Sequence, residues 1–137
     1  MRRRSAFLLC LLLSACLWRS YDDILAVHVD VLLGMADKIV AKSEAGRRPT
    51  PNDLTELLYP LQRARQFAGQ FRAQSGRGSY RAFGELLDRY EELVKKIDAA
   101  RADDARWAAL RTELPQYLED VGRRGDEVRA ALVAEGM

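Results

Sequence analysis

Apolar residues recur every three to four positions along most of this chain, and three short polar breaks divide the pattern. The breaks are glycine- and proline-containing stretches at 46–51 and 75–78 and a polar turn at 101–103. Because these connections are short, consecutive helices should run antiparallel, which predicts an all-α, up-down-up-down antiparallel four-helix bundle over residues 21–137. The predicted helices are Tyr21–Lys42, Asn52–Ala73, Tyr80–Arg101 and Asp104–Glu135.

Side chains that favour helix starts precede each predicted helix. They are Ser20, Thr50, Ser79 and Asp103. Pro60 and Pro115 fall inside the second and fourth helices, where each removes a backbone donor and should kink or split its helix. Gly122 and Gly125 weaken the fourth helix by about 1 kcal/mol each relative to alanine. A three-helix arrangement with a broken fourth segment is therefore the alternative.

Composition removes several classes of protein from consideration. The chain has 137 residues, the length of one domain. Its 22 basic and 20 acidic side chains are nearly balanced, so a nucleic-acid partner is not expected. One histidine and two cysteines are too few for a zinc cluster or a di-iron bundle. Both cysteines lie in the first sixteen residues, so Cys–His catalysis is not expected either. We therefore expect neither a metal site nor a bound cofactor.

The first residues have the pattern of a targeting segment. Arg2–Arg4 form a basic start, and Ala6–Leu13 is an apolar stretch of eight residues. A helix needs roughly 20 apolar residues to span a bilayer, so this stretch is too short to act as an anchor. A basic start followed by a short apolar run is typical of a signal peptide.

The junction Leu13-Ser14-Ala15-Cys16 resembles the lipobox of bacterial lipoproteins, in which a leucine and two small residues precede a cysteine. The resemblance implies cleavage after Ala15, which makes 1–15 a signal peptide. It also implies acylation of Cys16 and a lipidated tether over 16–20. The alternative is an ordinary secretory signal with a chance cysteine near the cut.

The same resemblance implies a location. The protein would be lipid-anchored on the periplasmic side of the cell envelope. Leu17 follows Cys16, whereas an aspartate at that position favours inner-membrane retention in enteric bacteria. The outer membrane is therefore favoured over the inner membrane.

His28 is the only histidine of the chain. At about 100° per residue it is predicted near the middle of the apolar arc of the first helix, between Leu25 and Val31. An imidazole in that position needs a hydrogen-bond partner, and Tyr90 and Tyr117 are predicted about one turn away. A core histidine is one interpretation, and a ligand-binding bundle for haem, a metal or a small apolar molecule is the other.

Five arginines are candidates for special roles. Arg65 lies near the apolar face of the second helix, where a covered guanidinium would need an interhelical ion pair. The other four should gather at the end of the bundle nearest Cys16 and face anionic lipid headgroups. They are Arg19, Arg72, Arg77 and Arg81. The alternative is that these four merely keep a turn hydrated.

The sequence pairs no nucleophile with a base, so catalysis is not expected. Together with the lipobox, this predicts a lipid-anchored cell-envelope helical bundle that acts as a non-catalytic interaction or accessory module. Its partners would be the membrane, through the lipid, and an envelope protein.

Overall fold

The computed structural model describes the backbone of residues 2–136 and the side chains of residues 21–136. Within these residues the chain forms four α-helices and no strand, which confirms the all-α prediction. Helices α2 and α3 are joined by a single 3-10 turn, Arg72–Gln74. The helices are α1 Arg2–Glu44, α2 Pro51–Gln70, α3 Gly78–Ala100 and α4 Asp104–Glu135.

The four helices form the predicted up-down-up-down bundle. Each helix packs against its neighbour in sequence, α4 closes the ring against α1, and α1 barely touches α3 across the diagonal. The apolar stripes of all four helices meet in one core. The largest fully buried side chains include Tyr21, Leu25, Leu32, Leu57, Phe83, Leu86, Leu87, Tyr90, Leu93, Ile97 and Leu114.

Two of the four predicted helix caps are confirmed. The Thr50 hydroxyl accepts the backbone N–H of Asp53, whose carboxylate accepts the Thr50 N–H, and Pro51 opens the helix. At the start of α4, the Asp103 carboxylate accepts the N–H of Arg106. Both caps join residues three positions apart, so local sequence is enough to specify them.

The other two caps were predicted wrongly. Helix α1 runs through Ser20 without interruption, because the residues before it continue the helix, so Ser20 does not begin it. Helix α3 begins at Gly78, which places Ser79 inside its first turn. The Ser79 N–H is instead accepted by Glu135 of α4, at 2.7 Å.

Helices α2 and α4 are both continuous through their prolines, so neither is split and the three-helix alternative is wrong.

Gly125 allows helices α1 and α4 to pack closely. A Cβ atom at Gly125 would lie 2.7 Å from Leu33 Cδ1, so the glycine lets α1 approach α4 closely.

The two ends of the bundle are defined by contacts between distant segments. We call the end of the bundle that contains Tyr21 the proximal end. There Arg77 contacts both Asp22 and Glu135. At the opposite, distal end, Arg48 of the α1–α2 loop pairs with Asp104 at the start of α4. Both groupings agree with the antiparallel order predicted from sequence.

Candidate functional site

His28 lies at the edge of the core, not at its centre. Its side chain is half-buried, and its ring centroid lies 4.9 Å from that of Phe67 on α2. It lines a groove of about 230 Å³ between α1 and α2, together with Ile24, Arg63 and Phe71. The prediction of a central position was therefore wrong.

The two tyrosines predicted to serve His28 are used elsewhere. Tyr90 is fully buried and donates its hydroxyl to the Leu57 carbonyl at 2.8 Å, and burial raises its pKa. Tyr117 is half-buried on the far side of the bundle, where Lys96 Nζ lies 5.5 Å from its ring centroid. The predicted cluster of His28, Tyr90 and Tyr117 does not form.

Electrostatics keeps His28 neutral. Partial burial lowers its pKa, and the positive charge of Arg63 lowers it further. A neutral imidazole against a phenyl ring packs without needing a carboxylate. Within the described side chains, no group of three or more His, Cys, Asp or Glu residues is arranged to hold a metal ion.

Helix α1 carries two apolar rows, and His28 lies between them. The first row enters the core through Tyr21, Leu25, Val29 and Leu32. The second row, called here the exposed row, consists of Ile24, Val27 and Val31, which are 38%, 59% and 44% exposed. These three residues are spaced three, four and seven apart, so they share one side of the helix.

Helix α2 lines one edge of the exposed row. Lys38 pairs with Glu56 at 3.0 Å, and the His28 ring contacts the Phe67 ring at a tilt further along, which fixes the register of the two helices. Tyr59 and Arg63 lie between those two contacts, and Tyr59 is 63% exposed. We call the surface formed by the exposed row, His28, Tyr59 and Arg63 the α1–α2 face.

Helix α4 lines the opposite edge with charge. Asp30 of α1 accepts a 2.6 Å hydrogen bond from Arg129, which also pairs with Asp126. Asp23 and Asp37 lie seven residues on either side of Asp30, on the same side of α1. The solvent side of α1 is therefore divided into an apolar half towards α2 and an acidic half towards α4.

Arg65 forms the predicted interhelical ion pair, but it is not buried. Its guanidinium lies 3.1 Å from Asp88 Oδ1 and 2.6 Å from Glu91 Oε2, so it joins α2 to α3. The side chain is 43% exposed, which places the pair at the surface. The prediction of a buried polar or ligand-binding residue is corrected accordingly, since both carboxylates already occupy the cation.

The predicted membrane-facing arginines differ in their exposure to solvent. Arg72 and Arg81 are exposed near the proximal end, as the prediction requires. Arg77 is not available, because its side chain is only 11% exposed and its Nη2 atom lies 2.9 Å from Asp22 and 2.8 Å from Glu135. The side chain of Arg19 lies outside the described residues, as does that of Cys16.

Arg77 belongs instead to a polar cluster at the proximal end, formed by Tyr21, Asp22, Arg77, Ser79 and Glu135. Glu135 accepts hydrogen bonds from the Ser79 hydroxyl at 2.6 Å and from Arg77 Nε at 2.9 Å. The guanidinium also covers the Tyr21 ring, 4.5 Å from its centroid. This proximal cluster ties α1, α3 and α4 together.

The charges of this cluster are set by its hydrogen bonds. Burial would raise the pKa of Glu135, but the bonds from Ser79 and the charge of Arg77 outweigh burial and lower it. Burial raises the pKa of Tyr21, against opposing effects of Ser79 and Arg77. Glu135 therefore stays ionised at neutral pH, and Tyr21 stays protonated.

A groove between α3 and α4 lies on the side opposite the α1–α2 face. It has a volume of about 650 Å³ and is lined by Gln116, Tyr117 and charged residues. Its two arginines are paired: Arg89 lies 3.0 Å from Glu92, and Arg123 pairs with Asp120. The lining also carries Glu113 and Glu119, so this open polar surface has more acidic than basic side chains.

Sequence reasoning missed both the exposed row and the proximal cluster. The row was detectable, because α1 carries more apolar residues than one buried stripe accommodates. The cluster was not detectable, since Arg77 is separated from its partners by 55 and 58 residues.

No helix among the described residues combines the length and apolar character required to cross a membrane.

Comparison with known proteins adds no relative. The chain matches no protein-family model, no curated protein and no solved structure.

Proposed function

We propose that this protein is a lipid-anchored helical-bundle module of the cell envelope that acts through binding and not through catalysis. The observation that carries the proposal is the lipobox pattern Leu13-Ser14-Ala15-Cys16 behind a basic start and a short apolar run. The proposed location of the bundle is the periplasmic side of the envelope, with the outer membrane favoured. Two or three acyl chains on Cys16 would provide stable anchoring without a spanning helix.

The described side chains support a binding role. Most charged groups that meet across helices are engaged in ion pairs, as in the pairs of Arg65, Arg124 and Arg129. The one histidine packs against Phe67 rather than beside a nucleophile. What remains available is surface: an apolar face on one side and a polar groove on the other.

The ligand-binding alternative around His28 receives less support and is not proposed. A metal ion needs further ligands beside the imidazole, and a haem needs free space at its ring nitrogen, whereas His28 packs against phenyl rings and lies near the cation Arg63. An envelope protein and the membrane itself are the partners proposed here.

The proposal is tested by replacing the lipidated residue. Cys16→Ser should abolish metabolic labelling by an alkyne fatty acid and move the protein from the membrane fraction to the soluble fraction or leave an uncleaved precursor. The matched control is Cys10→Ser, which removes the other cysteine and should leave labelling unchanged. Labelling that persists in Cys16→Ser would refute the lipid anchor.

A further inference from the structure

We infer that the α1–α2 face rests on the surface of the bilayer, so that the bundle lies on its side with α3 and α4 turned towards the periplasm. This inference rests on the proposed lipid anchor at Cys16. It names the lipid interface, not a protein, as the occupant of the exposed row.

The first argument is the organisation of the exposed apolar surface. Scattered apolar residues are normal on a protein surface, but Ile24, Val27 and Val31 lie in line over two turns of one helix. Tyr59 extends the surface onto α2. An amphipathic helix that lies in the membrane plane presents its apolar side to lipid in this manner.

The second argument is the short chain between the row and the proposed lipid. Ile24 follows Cys16 by eight residues, and the backbone of α1 is helical throughout this interval. Eight helical residues rise about 12 Å, so acyl chains inserted at Cys16 hold the row close to the same leaflet. The tether raises the effective concentration of the row at the membrane, so even weak insertion is sufficient to orient the bundle.

The third argument weighs against an end-on arrangement. Arg77, one of the cations expected at the membrane, is engaged by Asp22 and Glu135 within the proximal end. An end-on bundle would therefore meet the headgroups without this cation.

The rim of the face suits the headgroup region. Tyr59 combines an apolar ring with a polar hydroxyl, and Arg63 supplies a cation beside the row. His28 is held neutral, so it brings no charge to the surface. On the opposite edge Asp30 is paired with Arg129, but Asp23 and Asp37 leave that edge acidic, so we expect it to lie farther from anionic headgroups than the α2 edge.

The test measures the depth of single labels in vesicles. The lipidated protein is reconstituted into vesicles of phosphatidylethanolamine and phosphatidylglycerol, with an environment-sensitive fluorophore on a single new cysteine. Lipidation blocks Cys16 and cleavage removes Cys10, so the new thiol is unique. Val27→Cys reports on the row, and Val133→Cys on α4 is the control, because the two valines are 59% and 65% exposed.

We expect lipids with brominated acyl chains to quench the Val27 label at least about twofold more strongly than the Val133 label. Adding Val31→Asp should reduce the quenching of the Val27 label, whereas Val133→Asp should leave it unchanged. Both substitutions are at exposed positions, and an unaltered thermal transition would show that the fold is retained.

Vesicle flotation separates the two proposals. Protein that does not float with the vesicles refutes the lipid anchor, and with it the proposed function. Protein that floats but shows equal quenching at both labels overturns only the orientation. A Val27 label that is shielded from aqueous iodide yet not quenched by brominated lipid also overturns the orientation, because a protein then covers the row.

Discussion

The two ends of the bundle are held by different means. At the proximal end, one nearly buried arginine bonds two carboxylates that lie more than 50 residues away in the chain. At the distal end, Arg48 and Asp104 are also 56 residues apart but pair at the exposed surface, and α2 begins with the Thr50–Asp53 capping box. The two ends therefore differ in the burial of their long-range ion pairs, and only the distal end adds a cap formed by neighbouring residues.

This difference in burial predicts which end contributes more to the stability of the fold. A buried charge left without its partner is costly, whereas an exposed ion pair contributes little because water replaces either member. Substitutions at the proximal end should therefore have larger effects than equivalent substitutions at the distal end. Four measurements of the free energy of unfolding test this ranking.

The largest effect is expected from Arg77→Met. The substitution keeps an apolar stem but leaves Glu135 and Asp22 without their cation, beside the buried Ser79. We expect a loss of about 2–3 kcal/mol in urea denaturation. A loss below about 1 kcal/mol would mean that water satisfies these carboxylates and that the two ends do not differ.

Lowering the pH should reduce the free energy of unfolding through Asp53 at the distal end. Burial would raise the pKa of Asp53, but bonds from Lys42 and Thr50 outweigh it and lower the pKa from 3.8 to about 2. Because the folded pKa lies below the unfolded pKa, this stabilisation is present above pH 4 and is lost as the pH falls towards 2. We expect a loss of about 1–2 kcal/mol over that interval.

Two variants separate the acid response of the two ends. Asp53→Asn should flatten the loss between pH 4 and 2. Glu135→Gln should remove the loss that begins at higher pH, since the pKa of Glu135 is lowered from 4.5. If both variants keep the full acid dependence of the parent protein, neither carboxylate is linked to stability as described.

A smaller effect is expected from Thr50→Ala. The change removes the hydroxyl that accepts the Asp53 N–H at 3.3 Å, and leaves the rest of the bundle intact. Loss of a capping side chain costs about 1 kcal/mol. Thermal denaturation should record a modest decrease, and Thr112→Ala, which alters an exposed threonine within α4, is the control that should change less.

The smallest effect is expected from Arg48→Met, the distal counterpart of Arg77→Met. Arg48 pairs only with the exposed Asp104 among the carboxylates of residues 21–136. The free energy of unfolding should change by less than about 0.5 kcal/mol. A loss as large as that of Arg77→Met would show that exposure does not explain the contrast between the ends.

Features specified by neighbouring residues could be predicted from the sequence. Helical periodicity identified the bundle, and the caps at Thr50 and Asp103 followed from residues within one turn. The cap of α3 could not be predicted in this way, because the carboxylate that serves it is 56 residues away. Serine is a favourable residue type for a helix cap, but the Ser79 hydroxyl donates to Glu135 instead.

The error at His28 has a different physical cause. Hydrophobicity alone does not distinguish the exposed Val31 from the buried Leu25, so both count towards one apolar arc, whose centre then lies towards the surface. His28 lies between the two rows and is therefore predicted at the centre of that arc. An apolar arc that is too wide for its helix predicts a second contact surface as well as a core.

The distance between Ser79 and Glu135 has a consequence for the order of folding of a chain that is exported from its N-terminus onward. Helix α2 can form its own cap once Asp53 has followed Thr50 across the membrane, whereas Ser79 must wait for 56 more residues. Until those residues arrive, the first turn of α3 lacks its native acceptor. The emerging chain can therefore order α2 early, while α3 stays frayed until α4 arrives.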